Sequence, residues 1–259
     1  MTDLPVLTLA SRPPKLDDRA VEKRVGLVIL ATDHTTEHDF DRMVAGPRIG
    51  LYATRIHYAN PVTPETLAAM QPRLADGAAM ILPGEALDVV VYSCTSASVV
   101  IGDAEVAKAI HSAKPDAAVV TPTAASVAGL KAVGAKRISI LTPYTLETSR
   151  PMATYFARLG FDIARFTCLG LEDDREMARI SHDDIVAFGV EAFDPSSDAL
   201  FIACTAVRAA EVVARLEATI GKPVVSSNLA TAWATLRLCG DIAARPELGQ
   251  LMTKPLESL

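Results

Sequence analysis

The stretch Val89-Val90-Val91-Tyr92-Ser93-Cys94-Thr95-Ser96-Ala97 is an apolar run that closes on a cysteine among hydroxyl residues, and it returns as Ala199-Leu200-Phe201-Ile202-Ala203-Cys204-Thr205-Ala206-Val207. The offset between the cysteines is 110 residues. A second pair, Gly26–Asp33 (GLVILATD) and Arg137–Tyr144 (RISILTPY), repeats at an offset of 111. Two independent segments sharing nearly one offset imply an internal repeat, hence two homologous halves related by a pseudo-twofold axis. The first half ends near Thr121-Pro122 and the second near Ser226-Ser227. Residues 1–121 together with 227–259 are expected to form one half and 122–226 the other, with the helix after Asn228 packing back onto the first half.

Working outward, short apolar runs mark the strands: Arg24–Thr32, Ile49–Arg55, Leu87–Ser93 and Ala117–Thr121, then Arg137–Thr142, Phe161–Cys168, Ala199–Cys204 and Pro223–Ser226. Continuous rather than alternating apolar runs suit strands covered on both faces of a parallel sheet. Helices are expected over 65–82, 103–113, 124–134, 145–159, 182–192, 206–219 and 228–239. Thr63-Pro64-Glu65 carries a capping threonine and a proline at the first helical position. The alternation predicts right-handed βαβ units and an α/β fold of two doubly wound parallel-sheet halves with the active site between them.

Composition narrows the function. Of 259 residues half are apolar, which supports a sizeable core, and the formal charge of −6 is spread without long runs of one sign. No basic patch speaks for nucleic acid. The longest charge-free stretches, such as Val89–Gly102, are shorter than the 18 or so residues of a membrane span. The start Met1-Thr2-Asp3-Leu4-Pro5 has no basic segment ahead of an apolar block, so no signal peptide is read and a cytoplasmic location is expected. Cysteines at 94, 168, 204 and 239 form no CxxC pair, and free thiols are expected rather than disulfides.

In open parallel sheets ligands bind beyond the carboxyl ends of the strands, where Cys94 and Cys204 both fall, each read as preceding a helix. A helix N-terminus favours thiolate and offers N–H groups to an oxyanion, aided by the hydroxyls of Thr95, Ser96 and Thr205. One such cysteine reads most simply as a small buried hydrophobe; two at equivalent positions of a repeat read as a site. Cys168 and Cys239 lack that setting and are assigned to the core. Asp33 and Tyr144 end the first strand of each half and should converge on the same cleft, Asp33 to orient an amine or hydroxyl and Tyr144 to donate to an oxyanion. His34-Thr35-Thr36-Glu37-His38-Asp39 lacks HExxH order and reads as a solvated polar helix start rather than a metal cluster. Glu172–Glu176 reads as a solvated loop, and no GxGxxG or GxxxxGK[ST] supports nucleotide binding.

The paired elements Ser93-Cys94-Thr95-Ser96 and Ala203-Cys204-Thr205 resemble the Asp/Glu racemase superfamily. Gly26–Glu37 (GLVILATDHTTE), Thr142-Pro143-Tyr144 and Leu169–Ile180 (LGLEDDREMARI) resemble its maleate cis-trans isomerase and arylmalonate decarboxylase branch, with the nearest likeness to the ectoine-utilisation protein A group. The resemblance implies that Cys94 and Cys204 are the catalytic pair and that Thr95, Ser96 and Tyr144 hold an oxyanion. It implies that the decarboxylases keep only the second cysteine, which argues against simple decarboxylation here. It also implies that maleate isomerases carry asparagine where this chain has Asp33 and Asp174, amides that meet a substrate carboxylate. Two carboxylates there would repel a dicarboxylate and suit a substrate with one carboxylate and a cationic or N–H-rich part, such as an ectoine-derived amino acid. The expected activity is racemisation or epimerisation α to a carboxylate by two-cysteine proton transfer, with no cofactor and no metal. The alternatives are cis-trans isomerisation with Cys94 as covalent nucleophile, or a non-catalytic accessory protein of ectoine degradation. The expected partner is a small carboxylate-bearing substrate, with neither nucleic acid nor membrane, and a homo-oligomer is expected.

Overall fold

The computed structural model describes residue 5 and residues 7–259. The start Met1–Leu4, on which the reading of no signal peptide rests, lies outside the described residues. No helix among the described residues is long and apolar enough to cross a membrane.

The first sheet is built from β1 (Lys23–Leu30), β2 (Ile49–Ile56), β3 (Val89–Tyr92) and β4 (Ala118–Val120), all parallel, in the order β2-β1-β3-β4. The second uses β5 (Arg137–Tyr144), β6 (Asp162–Leu171), β7 (Ala199–Ile202) and β8 (Val224–Ser226) in the equivalent order β6-β5-β7-β8. The repeat seen in the sequence is thus a repeat of topology. The central strands β3 and β7 are buried throughout, as runs of Val, Leu, Ile and Phe require when both faces are covered. The edge strand β6 is only half-buried along most of its length, so Cys168 within it is not a core residue as expected, whereas Cys239 is buried.

The helices of the first half are α1 (Thr36–Met43), α2 (Pro64–Ala68), α3 (Leu74–Met80), α4 (Thr95–Ile101) and α5 (Asp103–His111). The later helices are α6 (Pro122–Ala132), α7 (Leu146–Arg158), α8 (Asp174–Met177), α9 (His182–Ala192), α10 (Val213–Ile220) and α11 (Ser227–Leu238). Side-chain oxygens of Thr63, Thr121, Thr145, Ser181 and Ser226 cap α2, α6, α7, α9 and α11. The helix expected over 65–82 is broken into α2, a 3₁₀ turn at Gln71–Arg73 and α3, because Pro72 cannot donate within a continuous helix. The helix expected over 206–219 begins only at Val213, after a turn and a short 3₁₀ segment at Ala209–Glu211.

The two sheets are joined by exchanged helices. α6, which comes after β4, packs on β7 and β8; α11, which comes after β8, packs on β3 and β4; and the two helices lie against each other. α11 is buried on nearly every face, with Trp233 in the core and its indole N–H donating to the Lys254 carbonyl at 2.9 Å.

Candidate active site

In each sheet the chain leaves the first strand one way to reach β2 or β6 and the other way to reach β3 or β7. The crevice between β1 and β3, and that between β5 and β7, is therefore a switch point where ligands bind. Asp33 and Cys94 lie just past the carboxyl ends of β1 and β3; Tyr144 ends β5 and Cys204 lies just past β7. The two switch points meet in one small pocket of about 20 Å³, room for about one water. Its lining includes Asp33, Cys94, Ser96, Tyr144, Asp174, Cys204 and Thr205, seven of the eight residues picked out from the sequence. The eighth, Thr95, is buried nearby but turns its hydroxyl onto Ser227 Oγ at 2.8 Å and is not among the lining residues.

The two thiols are held differently. Cys94 sits in extended backbone at φ −154° as the N-cap of α4, with its sulfur 3.8 Å from Ser96 Oγ. Cys204 does not precede a helix, contrary to expectation: it adopts φ +91°, a left-handed conformation that costs a non-glycine residue on the order of 1–3 kcal/mol. Such strain persists only where the surroundings over-determine it. The twist brings the Ala206 N–H to 3.4 Å from the Cys204 sulfur, so a tight turn supplies the donor that a helix start was expected to supply. Met177 Sδ of α8 lies 4.0 Å from the same sulfur.

Burial dominates the electrostatics, and it reverses the expected downward shift of the thiols. Desolvation pushes Cys94 up to about 12, against the pull of the Ala97 N–H and the Ser96 hydroxyl and with the help of negative charge on Cys204. Desolvation pushes Cys204 up to about 11, against the Tyr144 hydroxyl and the N–H groups of Ala206 and Val207. Both are therefore neutral thiols at rest near neutral pH. Tyr144, wholly buried, is also raised by desolvation and faces both sulfurs, so its hydroxyl stays protonated and able to donate.

The two acids are less free than their sequence positions suggest. Asp33 Oδ1 accepts the N–H groups of Thr35 and Thr36, each at 2.8 Å, and Oδ2 accepts the Thr36 hydroxyl at 2.7 Å. It caps the turn into α1, and burial raises its pKa despite those bonds. Asp174 starts the one-turn helix α8; Oδ1 accepts from Asn60 Nδ2 at 2.9 Å and Oδ2 from the Thr32 hydroxyl. The segment His34–Asp39 is a solvated helix start only in part. His34, Glu37 and His38 are exposed, but Thr35, Thr36 and Asp39 are buried in a polar network. Among the described residues no group of three His, Cys, Asp or Glu side chains is placed to hold a metal ion.

Two contributors were missed in the sequence. Tyr58 lines the cavity, and its buried hydroxyl has no hydrogen-bond partner among the described residues. Asn60 reaches from the same loop across the cleft to both Asp173 and Asp174 at 2.9 Å. Val62 continues this strap, its N–H bonded to the Glu172 carbonyl and its carbonyl accepting from Thr148 Oγ1. The polar pair in Tyr58-Ala59-Asn60 ahead of Pro61 was the available signal. The lining set contains no lysine or arginine.

The sequence profile of the arylmalonate decarboxylase family matches residues 53–252. A maleate isomerase of Nocardia farcinica is 28% identical over 242 residues, 89% of this chain and 95% of that protein. An arylmalonate decarboxylase of Bordetella bronchiseptica is 32% identical over 134 residues, 51% of this chain and 56% of that protein. Among solved structures, a cysteine-to-serine mutant of the Nocardia farcinica maleate cis-trans isomerase with a covalently bound succinylcysteine intermediate superposes with a TM-score of 0.81 at 27% identity, covering 89% of this chain and 98% of that one.

Proposed function

We propose that this chain, which belongs to the arylmalonate decarboxylase family, is a cofactor-independent isomerase that moves a proton at a carbon α to a carboxylate. The observation that carries the reading is the meeting of Cys94 and Cys204, one from each sheet, in a single small pocket with the Tyr144 hydroxyl facing both. In the forward step one cysteine, as thiolate, takes the α-proton and becomes a thiol. The other thiol gives its proton to the opposite face of the same carbon and becomes the thiolate. The enediolate between these steps accepts hydrogen bonds from Tyr144 and Ser96, so its charge develops against donors already in place. The thiols start neutral, so one proton has to leave the pair for solvent as the substrate enters, and the cationic part of the substrate favours the thiolate left behind.

The lining supports a substrate class. With Asp174 in the wall and no lysine or arginine among the lining residues, a dicarboxylate would meet like charge. A small monocarboxylate with a cationic or N–H-rich part fits better, and we assign an amino-acid-like compound of ectoine or hydroxyectoine breakdown, handled in the cytoplasm. We also assign the halves as 1–121 with 227–259 and 122–226, a division supported by α11 packing on the first sheet; an oligomer of such units is part of the same proposal. The test is incubation in deuterated buffer with ectoine, 5-hydroxyectoine, their ring-opened acids and maleate. Deuterium at the α-carbon with inversion is expected for a nitrogen-bearing substrate, and the absence of uptake with all of them would remove the reading.

A second reading is favoured by one observation, the succinylcysteine held by the Nocardia farcinica relative. There Cys94 would add to a carbon–carbon double bond, Cys204 would protonate the neighbouring carbon, rotation about the resulting single bond would come next, and elimination would restore the double bond. A covalent adduct on Cys94 in the mass spectrum, without α-deuterium exchange of a saturated substrate, distinguishes it.

A further inference from the structure

The left-handed Cys204 turn is held from outside its own sheet. Thr35 Oγ1, at the start of α1, donates to the Ala206 carbonyl at 2.6 Å. Asn228 Nδ2, in the first turn of α11, donates to the Thr205 carbonyl at 2.9 Å and to Asp39 Oδ2 at 2.8 Å. Thr205 Oγ1 in turn donates to the Ser93 carbonyl at 3.3 Å, the residue beside the other thiol. Two consecutive carbonyls just past Cys204 are thus each fixed by a buried side chain, and the peptide N–H groups that act on the sulfur, of Ala206 and Val207, belong to the same two peptide units, the Ala206 N–H at 3.4 Å. Asp39, fully buried, is tied on its other oxygen to Arg42 at 3.4 Å, which sets the orientation of Asn228.

We propose that Thr35 and Asn228 are positioning residues: they hold the strained Cys204–Ala206 turn so that the Ala206 N–H stays on the Cys204 sulfur and that thiol can ionise when substrate arrives. The inference rests on the reading of Cys204 as a proton-transfer group, yet its test does not need turnover. The groups facing Cys204 from the elements around it are Tyr144 of β5, Asp174 of α8, Cys94 before α4 and Tyr58 of the strap, and all of them stay intact in variants at Thr35 and Asn228. Loss of the Ala206 N–H removes a donor that stabilises the thiolate, so ionisation of Cys204 becomes harder while that of Cys94 keeps its own donors.

The experiment compares wild-type full-length protein with Thr35→Val, Thr35→Ser and Asn228→Leu. Each is treated briefly with iodoacetamide at mildly alkaline pH, and alkylation of the Cys94 and Cys204 peptides is quantified by mass spectrometry. Both sulfurs line one cavity, so Cys94 labelling in the same sample serves as the internal reference for entry of the reagent. The ratio of Cys204 to Cys94 labelling should fall by about three- to tenfold in Thr35→Val and Asn228→Leu and return to the wild-type value in Thr35→Ser. A ratio unchanged in Thr35→Val, with both sites merely labelled faster or the melting temperature merely lower, would reduce these residues to structural supports and overturn the proposal. If Asn228→Leu does not fold, Thr35→Val and its serine rescue decide the matter alone. If the substrate screen finds no activity while the ratio falls as stated, the positioning role stands and only the catalytic reading fails.

Discussion

Raising the pH should destabilise this fold through its buried thiols, by an amount that replacing one of them reveals. Cys204 moves from an ordinary value of 9.0 to about 11 in the folded chain, chiefly because burial disfavours the thiolate. A group whose folded value lies above its unfolded one contributes stability that is fully present below the unfolded value and is lost as pH rises through the folded one. The window for Cys204 therefore runs from pH 9.0 to about 11. At about 1.4 kcal/mol per unit the full loss is about 3 kcal/mol, of which about 2 kcal/mol has appeared by the upper end. Serine does not ionise in this range, so Cys204→Ser lacks the loss. Urea unfolding under reducing conditions, repeated at steps between about pH 8 and about pH 11, should show the variant gaining about 2 kcal/mol on the wild type across the series. Cys94→Ser should gain in the same direction over a window that extends to about 12. A difference between wild type and variant that stays constant with pH would mean that the sulfurs are solvated at rest, and their burial would have to be abandoned.

Three further outcomes are expected. Tyr144→Phe removes the hydroxyl that faces both sulfurs and should lower kcat by about 10²–10³-fold with a smaller change in KM, as for loss of one oxyanion donor; a rise in KM with kcat unchanged in steady-state assays would assign the tyrosine to ground-state binding. Asp33→Asn combined with Asp174→Asn should improve maleate binding or turnover, read by fumarate formation, and efficient maleate isomerisation by the native chain would contradict the substrate argument. Asn60→Ala, which frees Asp173 and Asp174 from the strap, should raise KM more than it lowers kcat; a loss confined to kcat would show that the strap acts on the chemistry instead.

The strands and the pairing of halves were legible because parallel strands covered on both faces are written as uninterrupted apolar runs, and the repeat of Val89–Ala97 in Ala199–Val207 tied those runs together. Asp33, Cys94, Tyr144 and Cys204 reach the cavity for the same reason: they end strands at a switch point, a position that sequence fixes once the strands are found, and Ser96 and Thr205 follow the two cysteines closely in the chain, whereas Asp174 was legible only through the family resemblance. The connections leaving the strands were less legible. The run after Cys204 carries a helical apolar pattern, yet the positive φ at Cys204 and the bonds from Thr35 and Asn228 impose a turn before α10, and such tertiary bonds leave no periodicity. The sign of the thiol shifts was missed because a helix start is a local feature, whereas the desolvation that outweighs it comes from the facing half of the molecule. Tyr58 and Asn60 escaped notice because they lie on a connection whose crossing of the cleft is visible only in three dimensions. The buried Asp39 likewise read as solvent-facing until α11 brought Asn228 onto it.

The central claim is that the two thiols serve opposite faces of one carbon. The most direct measurement is deuterium uptake from solvent into each enantiomer of the substrate, read by mass spectrometry and chiral separation, for Cys94→Ser and Cys204→Ser. Each replacement removes one acid–base group and should cost about 10²–10⁴-fold in racemisation. Each variant should still exchange the α-proton of the enantiomer whose proton faces the surviving thiol, and the two variants should prefer opposite enantiomers. Full racemisation by either serine variant, or exchange of the same enantiomer by both, would contradict the account.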